Sequence, residues 1–540
     1  MNRSNAQTPL LWAVALACFA LFAAHVAREV RATSVWDDAW MFVRYAQQLL
    51  AHGVPAFAPG GPGTYGLTSP AFLSVVAPLA LAFGGDVVRV ALGSSLLAGA
   101  LFLLFLSRLL VSLTRGAPRR RAATFALVAF TLAYGAPALA RHFASGMDTT
   151  FALAYLTVWL LLAQASARLD SDDASLTLGL FGGAAFAVRP DLLVFTFGAP
   201  LVAMWCARHP REKRGWARAA TFAALAAGAQ SAAFAWWLHA PLPLPFFVKT
   251  AGFYGPTLRA AYAGVALAET GAFLRSMSAL RIAIAAAIVL QPLRWWRESA
   301  ALEKALLGAG LAFTAYHAVA VVPIMGYAGR FQMPLLPVLA FLAATSLARL
   351  ARDFPAAWPR SLAVTLVALL VASVAVRRIA AHATVPSADG PGRFSLEAAY
   401  RANWADYWVG LDRVSALPDD LTLATTEVGL PAALAPGRRI VDLSGLNERS
   451  MALAHVSADS VVRREAPDLV YLPHPHYAEM RDAMLADPRF RAGYEIWTAA
   501  ALRADMGVAV RRTSPYADTL RALFAARAAR AQAPEAPQAP

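Results

Sequence analysis

Two adjacent carboxylates, Asp37 and Asp38, lie just beyond the first apolar run, in Trp36-Asp37-Asp38-Ala39-Trp40-Met41-Phe42-Val43-Arg44-Tyr45-Ala46. Paired acids can supply a general base, or can ligate a hard divalent cation through oxygen. The same residues also suit a helix start, where free amides and the helix dipole stabilise negative charge. Further polar groups recur at the edges of apolar runs: Arg141, His142 and Asp148; Arg189 and Asp191; Lys249; and Arg330. Arg presents a forked donor set and Lys a compact charge, and both suit a phosphate. Each has a plainer reading as well. Arg141 and His142 can snorkel to an interface, Arg189-Pro190-Asp191 can be a helix start, and Arg330 can be an interfacial Arg set between glycines. A helix is expected over 39–50, with Asp37 and Arg44 two turns apart on one face.

The elements that must hold these groups follow from composition. The chain has 540 residues, of which 58% are hydrophobic and 15% charged, far more apolar than a soluble domain. The expected fold class is a polytopic α-helical membrane protein. The net charge of +15 does not point to nucleic acid, because much of the basic charge lies in short loops between apolar runs, as the positive-inside rule requires. The clusters around Arg119, Arg208 and Arg297 are expected to be cytoplasmic. Two cysteines, Cys18 and Cys206, exclude a disulfide framework.

Eleven spans are expected, at 10–26, 87–113, 122–140, 149–167, 176–188, 192–207, 217–238, 279–293, 302–324, 335–350 and 362–376, with the N-terminus cytoplasmic. The apolar run 70–83 would reach only about 21 Å at 1.5 Å per residue, against a hydrocarbon core of about 30 Å. It is expected to lie in the outer interface, within one large external loop over 28–86. Gly179, Gly182 and Gly183 would let neighbouring helices approach closely. The prolines of Pro241-Leu242-Pro243-Leu244-Pro245 imply a rigid extended segment.

The transmembrane domain is thus expected over 1–381, followed by a linker at 383–391. A small external α/β domain is expected over 382–520, with strands at 421–425, 439–443, 468–471, 494–498 and 507–511. Thr425, Thr426, Glu427 and Gly429 would sit at the ligand edge of its sheet. Residues 521–540 are expected to be a disordered tail, Ala-, Pro-, Gln- and Arg-rich from 525 onward.

Taken in order, these segments resemble the large inverting GT-C glycosyltransferases that use polyprenyl-phosphate sugars, especially the terminal arabinofuranosyltransferases. The resemblance runs through Asp37-Asp38-Ala39, Arg44-Tyr45-Ala46, Tyr65-Gly66-Leu67-Thr68-Ser69-Pro70, Ser145-Gly146-Met147-Asp148-Thr149, Arg189-Pro190-Asp191, Phe247-Val248-Lys249, Gly329-Arg330-Phe331 and Val441-Asp442-Leu443-Ser444-Gly445-Leu446-Asn447. Leu244 stands where an asparagine is usual, and Gly326-Tyr327-Ala328 lacks an expected acid.

The resemblance implies sugar transfer from a polyprenyl-phosphate donor to a glycan or lipid acceptor, at the outer face of a bacterial inner membrane. Asp37 or Asp38 would be the base. Donor phosphate or substrate contacts would come from Arg330, Lys249 and Arg189, in that order, with Asp191, Arg44, Tyr45 and Asp148. No cofactor is required, although a divalent cation on Asp37 and Asp38 stays open. A polysaccharide ligase or polymerase would use the same donors. A transporter would place its charges at the midplane and show internal repeats, neither of which is evident.

Overall fold

The computed structural model describes residues 7–31, 35–113, 136–166, 172–250, 256–277, 292–321, 326–353 and 405–532, with short stretches between 280 and 289. Contacts divide the chain into two compact units: 1–32, 92–232 and 256–392 form one, and 33–91, 233–255 and 393–540 form the other. The expected boundary at 381/382 is therefore too simple. Residues 33–91 and 233–255 fold with the tail. The linker 383–391 and the span 362–376 lie outside the described residues, as do much of 122–140 and of 279–293.

The first unit is helical. Expected spans fall on the helices Gln7–Arg31, Val87–Leu113, Thr149–Ala165, Asp172–Val188, Pro210–Trp237, Ala301–Val319 and Leu335–Asp353, two of which run on into the second unit. Among the described residues only Val87–Leu113 is by itself long and apolar enough to cross a membrane; 138–144 and 149–165 pass together but are bent by 110°. Eleven spans are thus not confirmed. The 17 residues of Thr149–Ala165 and of Asp172–Val188 each reach about 25 Å at 1.5 Å per residue, short of a hydrocarbon core. The expected span 192–207 is broken into a 3-10 turn, Pro190–Leu192, a π turn, Val194–Gly198, and the helix Ala199–Cys206. The helix Pro256–Ser276 was not expected, because Arg259, Glu269 and Arg275 dilute its hydropathy.

Three glycines do what their spacing predicted. A Cβ at Gly179 would overlap Ala219 O, one at Gly183 would overlap Ala223 O, and one at Gly182 would overlap Thr196 O. The helix Asp172–Val188 can therefore lie directly against the Pro210–Trp237 backbone.

In the second unit, five strands form one sheet: β1 (Leu423–Thr425), β2 (Ile440–Asp442), β3 (Leu469–Tyr471), β4 (Tyr494–Trp497) and β5 (Val508–Arg511). Their order is β2-β1-β3-β5-β4, with β2, β1 and β3 parallel and β5 and β4 antiparallel to their neighbours. All five match the expected segments. Ala424, Val441, Val461, Val462, Val470 and Ala509 meet in the core on one face. The residues after β1, β2 and β3 all emerge at one edge, because those strands run parallel.

Two expectations in this unit are corrected, and two are met. Residues 521–532, expected to be disordered, belong to the helix Ala517–Gln532, whose Leu520 and Phe524 are buried. Alanine, leucine and arginine are good helix formers, so local propensity favours this state. The proline segment is not extended throughout, since Leu244–Thr250 is helical. The helix expected over 39–50 runs Asp37–His52 and ends at Gly53, whose φ of 72° suits glycine. The apolar run 70–83 is helical as expected, a 3-10 turn leading into Leu73–Phe83.

Candidate active site

Both acids of the pair occupy the first turn of Asp37–His52, and Trp36 caps that helix without a side-chain bond. The two then diverge. Asp37 is 2% exposed, whereas Asp38 is half-buried. The Gly429 N–H donates to Asp37 Oδ2 and the Leu430 N–H to Asp37 Oδ1, each at 3.0 Å. A Cβ at Gly429 would overlap the Asp37 carbonyl oxygen, so this approach requires glycine. Burial pushes the Asp37 carboxyl up to about 7; the two amide bonds oppose that shift, while Asp38 and Asp442 add to it.

Two more acids complete the cluster. Glu427 is half-buried just beyond β1, and its carboxyl is pushed well above the usual range by burial and then by the charges of Asp37 and Asp38. Tyr407 hydrogen-bonds to that carboxyl. Asp442, at the end of β2, is caged: Ser444 N–H and Asn447 N–H donate at 2.7 Å, Ser444 Oγ at 2.5 Å and Asn447 Nδ2 at 2.9 Å. Its pKa is raised by burial, which those four bonds offset only in part. The sequence signal for Glu427 was its place after a strand.

Arg44 and Tyr45, expected at the substrate, are engaged by the protein's own groups. Arg44 is fully buried, with Nε donating to Phe57 O at 2.9 Å, Nη1 to Ala432, Ala435 and Pro436 O, and Nη2 to Arg438 O at 3.0 Å. A guanidinium has five N–H donors. With both of its ends and its Nε engaged by carbonyls, Arg44 braces the helix against the loop around residue 436. Gln47 and Gln48 reinforce that brace through Ala433 O and Pro436 O. The Tyr45 hydroxyl donates to Asn447 Oδ1 at 2.8 Å and so holds the loop that cages Asp442. Lys249, on Leu244–Thr250, is half-buried in this same unit.

The helical unit collects a second polar set. Arg189 grips Asp191 with Nε to Oδ1 at 3.1 Å and Nη2 to Oδ2 at 2.6 Å, and its Nη1 is buried with no partner. Asp148 sits in the bend after Gly146, whose φ is 74°, and Arg330 Nη2 approaches its Oδ1 at 3.5 Å. Asp148 Oδ2 has no partner. His317, which the sequence reading missed, brings Nε2 within 3.5 Å of Asp191 Oδ2 and stacks on Phe331 with centroids 5.9 Å apart. It thereby links the Arg189 motif to the one containing Arg330. His142 Nε2 lies 3.2 Å from Ala328 O, while Arg141 is exposed and 3.9 Å from Glu29 Oε2. Among the described residues, no group of three or more His, Cys, Asp or Glu side chains is placed to hold a metal ion.

The chain is similar in fold to several solved structures. They include ArnT from Cupriavidus metallidurans bound to undecaprenyl phosphate, at 14% identity over 92% of this chain and 98% of that one, with a TM-score of 0.48. The apo state of the same protein gives 13% identity, the same coverage and a TM-score of 0.48. The Archaeoglobus fulgidus oligosaccharyltransferase in complex with Zn and sulfate gives 16% identity over 91% of this chain and 73% of that one, with a TM-score of 0.47. No family model and no curated protein matches the chain. At this level of likeness, the site residues must carry any functional conclusion.

Proposed function

We propose that the protein is a membrane-embedded inverting glycosyltransferase that moves a sugar from a polyprenyl phosphate to a cell-envelope glycan or lipid, at the outer face of a bacterial inner membrane. The observation that carries this reading is the division of labour within the acid pair. Asp37 is buried and anchored by two backbone amides, whereas Asp38, beside it in the same helical turn, is half-buried and is the carboxylate we assign as the base.

Asp38 takes the proton from the acceptor hydroxyl as its oxygen attacks the anomeric carbon. The bond from that carbon to the phosphate oxygen breaks, and its electron pair leaves with the polyprenyl phosphate. A single displacement inverts the anomeric centre and needs one base. Asp37 fixes the helix start that presents Asp38. On charge chemistry, Arg330, Lys249 and Arg189 are the groups suited to the departing phosphate. Arg330 approaches Asp148 at 3.5 Å, and Asp191 occupies two of the Arg189 donors. A divalent cation would fall on the Asp37 and Asp38 pair, and chelation of the purified protein tests for it.

The protein in nanodiscs, given a panel of polyprenyl-phosphate sugars and short glycan acceptors, tests the reading. Wild type is expected to transfer one sugar per event, and Asp38→Asn to lose about 10²–10⁴-fold in rate with its thermal unfolding unchanged. Equal rates in both proteins would sink the assignment of Asp38. Transfer of whole chains would favour the ligase reading.

A further inference from the structure

Two basic segments far apart in the chain, around Arg208 and around Arg297, meet in the helical unit at one cavity. It has a volume of about 560 Å³. Cys206, Arg208, His209 and Glu212 line it where the helix Ala199–Cys206 ends and Pro210–Trp237 begins, and Arg297 and Glu298 line it from the end of the helix Pro292–Glu298. Arg208 Nη2 donates to the Arg297 carbonyl oxygen, which ties the two segments together. We infer, on the membrane-embedded reading alone and not on sugar transfer, that this cavity seats the headgroup of an anionic phospholipid, with its phosphodiester between the two guanidinium groups.

Basic loops alone would be topology signals, solvated and spread over the surface. Here the charge is gathered around a cavity of a size that holds small ligands, about 300–1,000 Å³. Over residues 205–214 and 296–304, cations outnumber acids six to three, and Arg208, Arg211, Lys213, Arg214 and Arg297 are all exposed. Glu212 and Glu298 stand in the same wall and offset only part of that charge. A guanidinium offers phosphate oxygens a forked donor set, so two of them on one cavity suit a diester with two unesterified oxygens. Basic cavities between helices at a membrane surface are known to take anionic headgroups.

Two tryptophans mark the depth of the cavity in the bilayer. Trp205, next to Cys206, is 81% exposed, and Trp296, next to Arg297, is 59% exposed. Indole rings sit at headgroup level in a membrane, where one end is apolar and the other wet. The Lys304 ammonium lies 4.7 Å from the Trp296 ring centroid and holds a further cation at that level. Val202, three residues before Trp205 on the same helix face, is exposed as well. It gives an acyl chain an apolar track that leads back along Ala199–Cys206 from the cavity.

Thiol labelling of Cys206 tests this on the full chain, in a Cys18→Ser background and in detergent micelles doped with one lipid at a time. Cys206 is half-buried in the cavity wall, so a seated headgroup shields it. Phosphatidylglycerol is expected to slow labelling about tenfold once it stands about tenfold above its dissociation constant, and to raise the unfolding temperature. Phosphatidylcholine should do neither. Arg297→Gln leaves its carbonyl in place for Arg208 and should remove most of the protection. Lys213→Gln with Arg214→Gln removes two exposed cations of the same helix start that do not line the cavity, and should keep it. Should Arg297→Gln fail to fold, Arg208→Gln takes its place. Equal loss in the cavity variant and in the Lys213, Arg214 variant would reduce the effect to general surface attraction and overturn the site. Equal protection by phosphatidylcholine would overturn it too, and so would full protection by glycerol phosphate in water, since the ligand would then be a free phosphate. A chain that needs detergent yet responds to no lipid overturns the headgroup seat alone; one that stays dispersed without detergent overturns the membrane reading with it.

Discussion

Asp37 and Gly429 stand 392 residues apart in the chain and are joined by a 3.0 Å hydrogen bond from the Gly429 N–H to Asp37 Oδ2. The glycine has no room for a side chain, so the approach depends on it. Gly429→Ala should force the two backbones apart at a cost of about 1–3 kcal/mol, as overpacking does. Thermal unfolding checks this, with Gly228→Ala as the control. Gly228 lies in Pro210–Trp237 with nothing near its Cβ position, and alanine there should stabilise by about 0.5–1 kcal/mol.

The Asp37 carboxyl makes stability depend on pH. Its folded pKa of about 7 lies above the ordinary value of 3.8, so between those values the folded chain holds a proton that the unfolded chain releases. This contribution is fully present below about pH 4, is lost as the pH rises through 7, and is level above that. Glu427 and Asp442, also raised, act in the same direction. The unfolding temperature should fall between pH 5 and pH 8. Asp37→Asn should flatten that slope while lowering stability overall, because an amide cannot accept both N–H bonds. A wild-type profile that rises with pH would contradict this.

Arg44→Lys keeps the charge and loses the fork that reaches carbonyls on both sides. The expected cost is about 2 kcal/mol or more, from buried carbonyls left without donors. In protein that remains folded, the donor KM should not change, because Arg44 faces backbone and not substrate.

Asp191→Ala leaves the buried Arg189 charge without its hydrogen-bonded carboxylate, at an expected cost of about 3–5 kcal/mol. Pairing it with Arg189→Met should recover much of that stability, since apolar groups of similar volume can replace a buried ion pair. If Arg189 serves the donor, sugar release will stay lost in the double variant. A double variant that is both stable and active would mark the pair as structural.

Much of this could be read from sequence where the signal is local. Each of the five strands is a short apolar run bounded by turn residues, and the glycines at 179, 182 and 183 recur on one helix face. The bond between residue 37 and residues 429 and 430 could not be read, because nothing in either segment names the other. Arg44 misled for a related reason: spacing places it on the Asp37 face, but backbone carbonyls at 432–438, invisible to any pattern, take its donors. His317 was overlooked as a single histidine in an apolar helix. The helix to Gln532 was missed because its composition also suits a disordered tail.

The tie from Asp37 to residues 429 and 430 also sets an order of events during synthesis. Chains are made from the N-terminus, and early segments generally fold first. Asp37 must nonetheless wait for nearly 400 further residues before the amides that hold it exist. A ribosome that stops short of them leaves an acid pair that is unanchored and open to water. An unfinished chain therefore carries both acids without the amides that fix the first of them.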